Sequence, residues 1–363
     1  MALSKERKTA YLVLQNGEIF KGRVMGAEGT IAGEVVFNTS TASYQELLTD
    51  PTYYGQIVVQ TYPLVGNRGV DLDADSQIMA NGYIVREWCD EPTDIRNRVT
   101  LDEYLRERGI VGLCGIDTRR LTRILRDGGY IKGAITESID DLDTLMEQIS
   151  RFSIHGAIEA VTMKAPEEYK AEEECSRLAV VNYGTPRAMF QWLLSRGVSL
   201  KLFPAFTPTS DILKEGFDGI LLSDGPGDPD EHKGIIENVA EFCRSGKPVF
   251  GVGFGHQVLA IANGIRYSKM AHPHRGSNQP VRILSTGKLM ITDQNHAYDV
   301  VPEEKDRETA EVIMENVTDN TVEGLRYKKF PGFSVQFMPA DGHPLQDTAW
   351  IFDEIAAMLK GGK

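Results

Sequence analysis

Cysteine is scarce in this chain: four occur in 363 residues, Cys89, Cys114, Cys175 and Cys243, and no two form a Cys-x-x-Cys pair. That scatter argues against a thiolate metal site and suits a reducing compartment. Long apolar runs are missing too. Nowhere do 18 apolar residues follow one another, and the opening MALSKERKTAYLVLQ carries charges but no apolar core of a leader, so neither membrane insertion nor export is expected and the cytoplasm is the expected location. Basic charge is in deficit, with 39 Lys and Arg against 52 Asp and Glu, a net charge of -13 and a pI near 5.1. This balance disfavours a binder of phosphate backbones, and nucleic acid is not an expected partner. No internal repeat or low-complexity tract is visible.

What is present is ordinary globular composition, 41% apolar and 25% charged, in a chain long enough for two full cores. The first 150 residues begin with short strand-like runs, AYLVLQNGEIFKGRVMG and GEVVFNTS, broken by Asn-Gly and Gly signals that fit hairpins. Three amphipathic helices follow. TLDEYLRERG carries a capping box, Thr100 with Glu103, and a terminal Gly109; DTRRLTRILRDGG puts Leu121, Ile124 and Leu125 on one face; DDLDTLMEQISRF is the third. Residues 154–176 lose periodicity and gather charge, which reads as a linker between a domain at 1–153 and another at 177–363. From 177 apolar strands alternate with amphipathic helices, the pattern of a doubly wound α/β sheet whose ligands sit at the carboxyl ends of the strands. His272 and His274, two apart around a proline, lack further metal ligands in view, and a solvated loop is expected there.

Two glycine-rich turns fall at that sheet edge, SDGPGDP (223–229) and GVGFG (251–255). The second joins a strand to a helix in PVFGVGFGHQVLAIANG, the form of an elbow that normally holds a nucleophile in a strained conformation. Its apex is Gly253, which has no side chain. The turn is not a dinucleotide fingerprint, because His256 stands where the third glycine belongs, and it lacks the Lys-Ser/Thr of a P-loop. Taken alone, it also fits a tight strand-to-helix turn with glycine wherever φ is positive.

Taken together, LLSDGPGDP, GVGFGHQVLA, DQNHAYDV and GFSVQFMPADGHP, in this order, resemble a class I glutamine amidotransferase domain, most closely that of the small, glutaminase subunit of carbamoyl-phosphate synthetase. GEVVFNTSTASYQELLTDPTYYGQIVVQTYPLVGN and GIDTRRLTRILRDGG resemble the N-terminal domain of that subunit, so the resemblance covers nearly the whole chain. The expected fold is therefore a β-rich N-terminal domain followed by a doubly wound class I amidotransferase-like domain. In that family a cysteine thiolate attacks the glutamine side-chain amide, and a distant His-Pro-Glu supplies the base and its orienting carboxylate. Position by position, the nucleophile falls on Gly253, the histidine on Met338 and the glutamate on Ala340. No member of the triad is present. The resemblance carries the glutamine contacts onto Thr52, Gly225, Gly227, Gln257 and Asn295, and the oxyanion-hole amides onto Gly227 and Phe254. Departures are Phe254, bulkier than leucine, Ala297 where glycine is usual, and Tyr298 where phenylalanine is common.

The resemblance implies a large-subunit partner of the ATP-grasp class, with ATP and Mg bound there and no cofactor in this chain. Three functions stay open: a silent structural or regulatory subunit of such a ligase, fed by free ammonia or another nucleophile; continued glutamine hydrolysis through an unforeseen nucleophile or water, with His256, His296 or His343 as base; and a stand-alone binding or sensing protein whose former pocket holds glutamine or another small ligand. Cys243, ten residues before the apex on a predicted helix, is expected to pack rather than react.

Overall fold

The computed structural model describes residues 7–41, 44–72, 77–94, 99–185, 188–339 and 347–361. They divide into two compact units, 1–154 with 271–276, and 155–270 with 277–363. Residues 154–176, read from the sequence as a linker, carry a short helix and a strand that belong to the second unit.

The first unit is built from β1 (Thr9–Leu14), β2 (Ile19–Gly26), β3 (Ile31–Asn38), α1 (Tyr44–Thr49), β4 (Gln56–Gln60), β5 (Leu64–Val65), β6 (Gly82–Val85), β7 (Glu87–Trp88), α2 (Leu101–Glu107), β8 (Val111–Cys114), α3 (Thr118–Gly128), β9 (Lys132–Thr136) and α4 (Leu142–Arg151). Seven strands close into a barrel in the order β1-β2-β8-β6-β4-β3-β9. The Asn16-Gly17 turn makes the β1–β2 hairpin, with Gly17 at φ +87°. GEVVFNTS does not form a hairpin: β3 pairs parallel with β4 and antiparallel with β9, a closure that removes free sheet edges. The expected capping box of α2 is present, Thr100 accepting from the Glu103 amide and Glu103 from the Thr100 amide. Leu121 and Leu125 of α3 are buried against the barrel with Leu12, Val35 and Ile57. The histidine pair lies on a strand rather than a loop, and residues 271–276 of that strand group with this unit; His274 is buried, while His272 is exposed with Nδ1 3.0 Å from the Arg126 carbonyl oxygen.

The second unit contains α5 (Ala157–Val161), β10 (Glu167–Tyr169), β11 (Ser176–Asn182), α6 (Ala188–Leu194), β12 (Val198–Pro204), α7 (Thr209–Leu213), β13 (Gly219–Leu222), α8 (Lys233–Arg244), β14 (Val249–Val252), α9 (Phe254–Ala262), β15 (Arg266–Ile283), β16 (Leu289–Val301), β17 (Ala310–Asn316), β18 (Val322–Tyr327), β19 (Gly332–Val335) and α10 (Trp350–Gly361). Its ten strands run in the order β10-β12-β11-β13-β14-β19-β18-β17-β15-β16. The central β12-β11-β13-β14-β19 run is parallel. The apolar runs of β13 and β14 are buried on both faces, as strands sandwiched between helices must be. One face carries an apolar cluster with Ile235, Val239, Val258 and Leu259 of α8 and α9; the other carries Phe190 and Leu193 of α6 with Ile351, Phe352 and Ile355 of α10. This is the expected doubly wound sheet. Its carboxyl edge brings the two glycine-rich turns together, since β13 and β14 are neighbours with Leu222 opposite Gly251.

Candidate functional site

The elbow is intact as backbone. Gly253 has φ +55° and ψ -114°, a conformation that side-chain-bearing residues adopt only under strain, and it caps the N-terminus of α9. Its amide donates to the Val335 carbonyl at 2.9 Å, while its own carbonyl accepts from the His256 amide at 3.0 Å and the Gln257 amide at 3.2 Å. Close approach of α9 to β13 explains Gly255: a Cβ there would lie 2.1 Å from the Leu222 carbonyl oxygen.

The space beside the apex is filled by Asp224, two residues after β13 ends. Its Oδ1 accepts from the Gly225 amide at 2.7 Å and from the Phe254 amide at 2.8 Å. A Cβ built on Gly253 would sit 2.0 Å from that oxygen. The residue is half-buried, but dense packing around the carboxyl pushes its pKa up to about 6, against the two amides that favour the charged form. Its backbone carbonyl is held in turn by the Ser223 hydroxyl at 2.8 Å and the Thr185 hydroxyl at 3.1 Å.

The remaining positions named from the sequence sort into three groups. Gly225, Gly253 and the Phe254 amide meet at the Asp224 carboxylate, whereas the Phe254 ring turns into the core, edge-on to Tyr183 at 5.3 Å. The bulk of Phe254 is therefore absorbed by packing rather than presented to the site. Gln257 and Tyr298 also meet. The Gln257 Nε2 donates to the Tyr298 carbonyl at 3.2 Å and to Gln336 Oε1 at 3.1 Å, and the Tyr298 hydroxyl donates to Asp228 Oδ2 at 2.7 Å. Tyr267 donates to the other oxygen of Asp228 at 3.0 Å. Asn295 and Ala297 lie half-buried on β16, and Gly227 is exposed in its turn with φ +99°. Thr52 belongs to the first unit, where its amide and hydroxyl both donate to Asp50 Oδ1, at 2.9 and 2.8 Å.

Comparison with known proteins bears on what this arrangement descends from. The model of the carbamoyl-phosphate synthase small chain CPSase domain matches residues 12–135, and that of the class-I glutamine amidotransferases matches residues 179–358. The carbamoyl phosphate synthase small chain of Bacillus cereus is 39% identical over 355 residues, covering 97% of this chain and 96% of that one. The chain belongs to the carbamoyl phosphate synthase small chain family. The Clostridium perfringens small chain is 38% identical, with 95% and 98% covered, and that of Syntrophotalea carbinolica 40% identical, with 97% and 98% covered.

In this small-chain family member, Met338 is half-buried and joins the apolar cluster around Phe337 and Phe352, with its amide donating to the Asp293 carbonyl at 3.1 Å. Ala340 and His343 lie outside the described residues. Of the histidines considered as bases, His256 and His296 are held within the scaffold. His256 is fully buried, its Nδ1 is 2.7 Å from the Ser334 hydroxyl, its Nε2 has no hydrogen-bond partner, and burial pushes its pKa down to about 3. His296 spans its own strand, Nδ1 at 2.8 Å from the Tyr298 carbonyl and Nε2 at 3.1 Å from Gln294 Oε1. Cys243 lies on α8 against the core, with Asn263 at 3.5 Å, and burial pushes its thiol pKa up. Sequence reasoning passed over Asp224, Asp228 and Tyr267. A signal for the first was available: an acidic residue follows the strand beside an apex that is glycine.

Proposed function

We propose that this chain is a glutaminase-silent member of its family, the structural or regulatory subunit of an ATP-grasp ligase that draws nitrogen from free ammonia or another nucleophile. The observation that supports this most is the apex of the elbow, a glycine whose neighbouring amide is bound by the chain's own carboxylate. Hydrolysis of a carboxamide needs a nucleophile, a base and free donors for the oxyanion; loss of one such group costs several orders of magnitude in rate. At the apex there is no nucleophile, at position 338 a methionine replaces a base, and the Phe254 amide is committed to Asp224. Meanwhile both family models match and the barrel is closed, so the scaffold that would meet a large subunit is retained. The partner is then the subunit that binds ATP and Mg, and the complex works in the cytoplasm; no helix among the described residues is long and apolar enough to cross a membrane.

The test is the nitrogen donor of the co-purified complex, read as ATP- and bicarbonate-dependent product with ammonium or with glutamine. Ammonium alone is expected to support the reaction. Product from glutamine with this chain present would overturn the proposal.

A further inference from the structure

We propose that Asp224 is the resident occupant of the elbow and the residue that decides what the site excludes: its carboxylate takes the Phe254 amide hydrogen an incoming carboxamide or acyl oxygen would need, and Gly253 is the partner that makes room for it. This deepens the silent-subunit reading and rests on it.

Three observations carry the inference. The first is mutual exclusion. A Cβ on Gly253 would lie 2.0 Å from Oδ1, 2.2 Å from Cγ and 2.6 Å from Oδ2 of Asp224, so the carboxylate occupies the volume a nucleophile's side chain would take. The second is retention. One oxygen receives two backbone amides, at 2.7 and 2.8 Å, and the second of these opens α9, where the peptide dipoles favour an anion. The Ser223 and Thr185 hydroxyls hold the Asp224 carbonyl and so fix the backbone from which the carboxylate projects. Such an amide left without an acceptor is costly, which is why the vacancy at the apex calls for an acceptor rather than a methyl group. The third is that the Gln257 amide and the Tyr298 hydroxyl already donate within the chain. Gln257 donates to Tyr298 and Gln336, and Tyr298 donates to Asp228. A carboxamide entering beside Gly253 meets Gln257 and Tyr298 donors that are engaged and a carboxylate that repels its oxygen.

The first experiment is amide hydrogen exchange on the full chain and on Asp224→Ala. Exchange of the Phe254 amide is expected to speed up about tenfold or more, the factor set by losing a hydrogen bond to a charged acceptor. The Gly255 and His256 amides, which donate to the Ser223 and Gly253 carbonyls, keep their protection. Unchanged exchange at Phe254, or acceleration of all three alike, overturns the proposal. The second is alkylation by iodoacetamide, resolved by peptide, of the thiol introduced by Gly253→Cys. That thiol is expected to react about tenfold or more slowly than in Gly253→Cys with Asp224→Ala, because the carboxylate both crowds it and disfavours its thiolate. Failure of the single variant to fold where the double one folds counts the same way, and equal rates in the two backgrounds refute the interlock. Neither measurement involves the ligase, so a glutamine-dependent complex would remove the silent-subunit reading by a separate result.

Discussion

The apex of the elbow and position 338, three residues beyond β19, each carry a residue unfit for amide hydrolysis, yet the two positions are filled in opposite ways. At Gly253 a carboxylate lies beside two backbone amides; at Met338 an apolar side chain packs on the cluster around Phe337 and Phe352. The difference follows from what borders each position. Amides at a helix N-terminus need an acceptor, and an apolar cluster is completed by a hydrophobe. Each of the two positions is thus filled as its own surroundings dictate. His256 lies between them, on the elbow helix and bound to Ser334 of β19.

The comparison can be broken most forcefully by rebuilding both sites. Gly253→Cys, Met338→His and Ala340→Glu together are expected to release glutamate from glutamine only at a low rate, because the Asp224 carboxylate and the new side chain compete for the same volume. Adding Asp224→Ala should raise glutamate release by about a hundredfold or more over the triple variant, the scale of one recovered oxyanion donor. Equal rates with and without the fourth change would show that the carboxylate is no obstacle.

A smaller effect concerns the residue that bridges the two regions. The His256 imidazole has its pKa pushed down to about 3 from an unfolded value of 6.5, so the unfolded chain binds the extra proton between those limits and stability falls as pH drops from 6.5 to 3. The loss amounts to about 5 kcal/mol. Asp224 acts with the opposite sign: its pKa rises from 3.8 to about 6, so its contribution is present below 3.8 and is lost as pH rises through 6. Comparing urea denaturation of the native chain and His256→Asn across this window isolates the histidine, and a difference that does not vary with pH would mean the ring is hydrated. The smallest effect is at the other vacancy. Met338→Ala should cost about 2 kcal/mol in the same assay, near the low end for a methionine truncation because the side chain is half-buried; no cost would place it outside the core.

Much of the scaffold was legible in the sequence. The capping box at Thr100 and Glu103, the alternation after residue 177 and the spacing of Gly251, Gly253 and Gly255 are local signals, each rooted in hydrogen bonds or backbone angles within a few residues. The barrel was not legible, because β3 finds its partners in β4 and β9, and β9 is about a hundred residues away along the chain. The same limit applied to His274, buried on β15 where a solvated loop was expected, and to residues 154–176, where α5 and β10 form despite their charge.

By itself, then, the sequence determined the two-part plan, the elbow and the absence of a nucleophile at its apex, since these depend on residue type and on spacing along the chain. Only the tertiary structure decided what took the nucleophile's place. Asp224 and Phe254 are 30 residues apart, and nothing local sends a carboxylate to that amide. It is the parallel pairing of β13 with β14 that sets the end of one strand against the start of the other's helix, and the unpaired amide there selects the nearest acceptor.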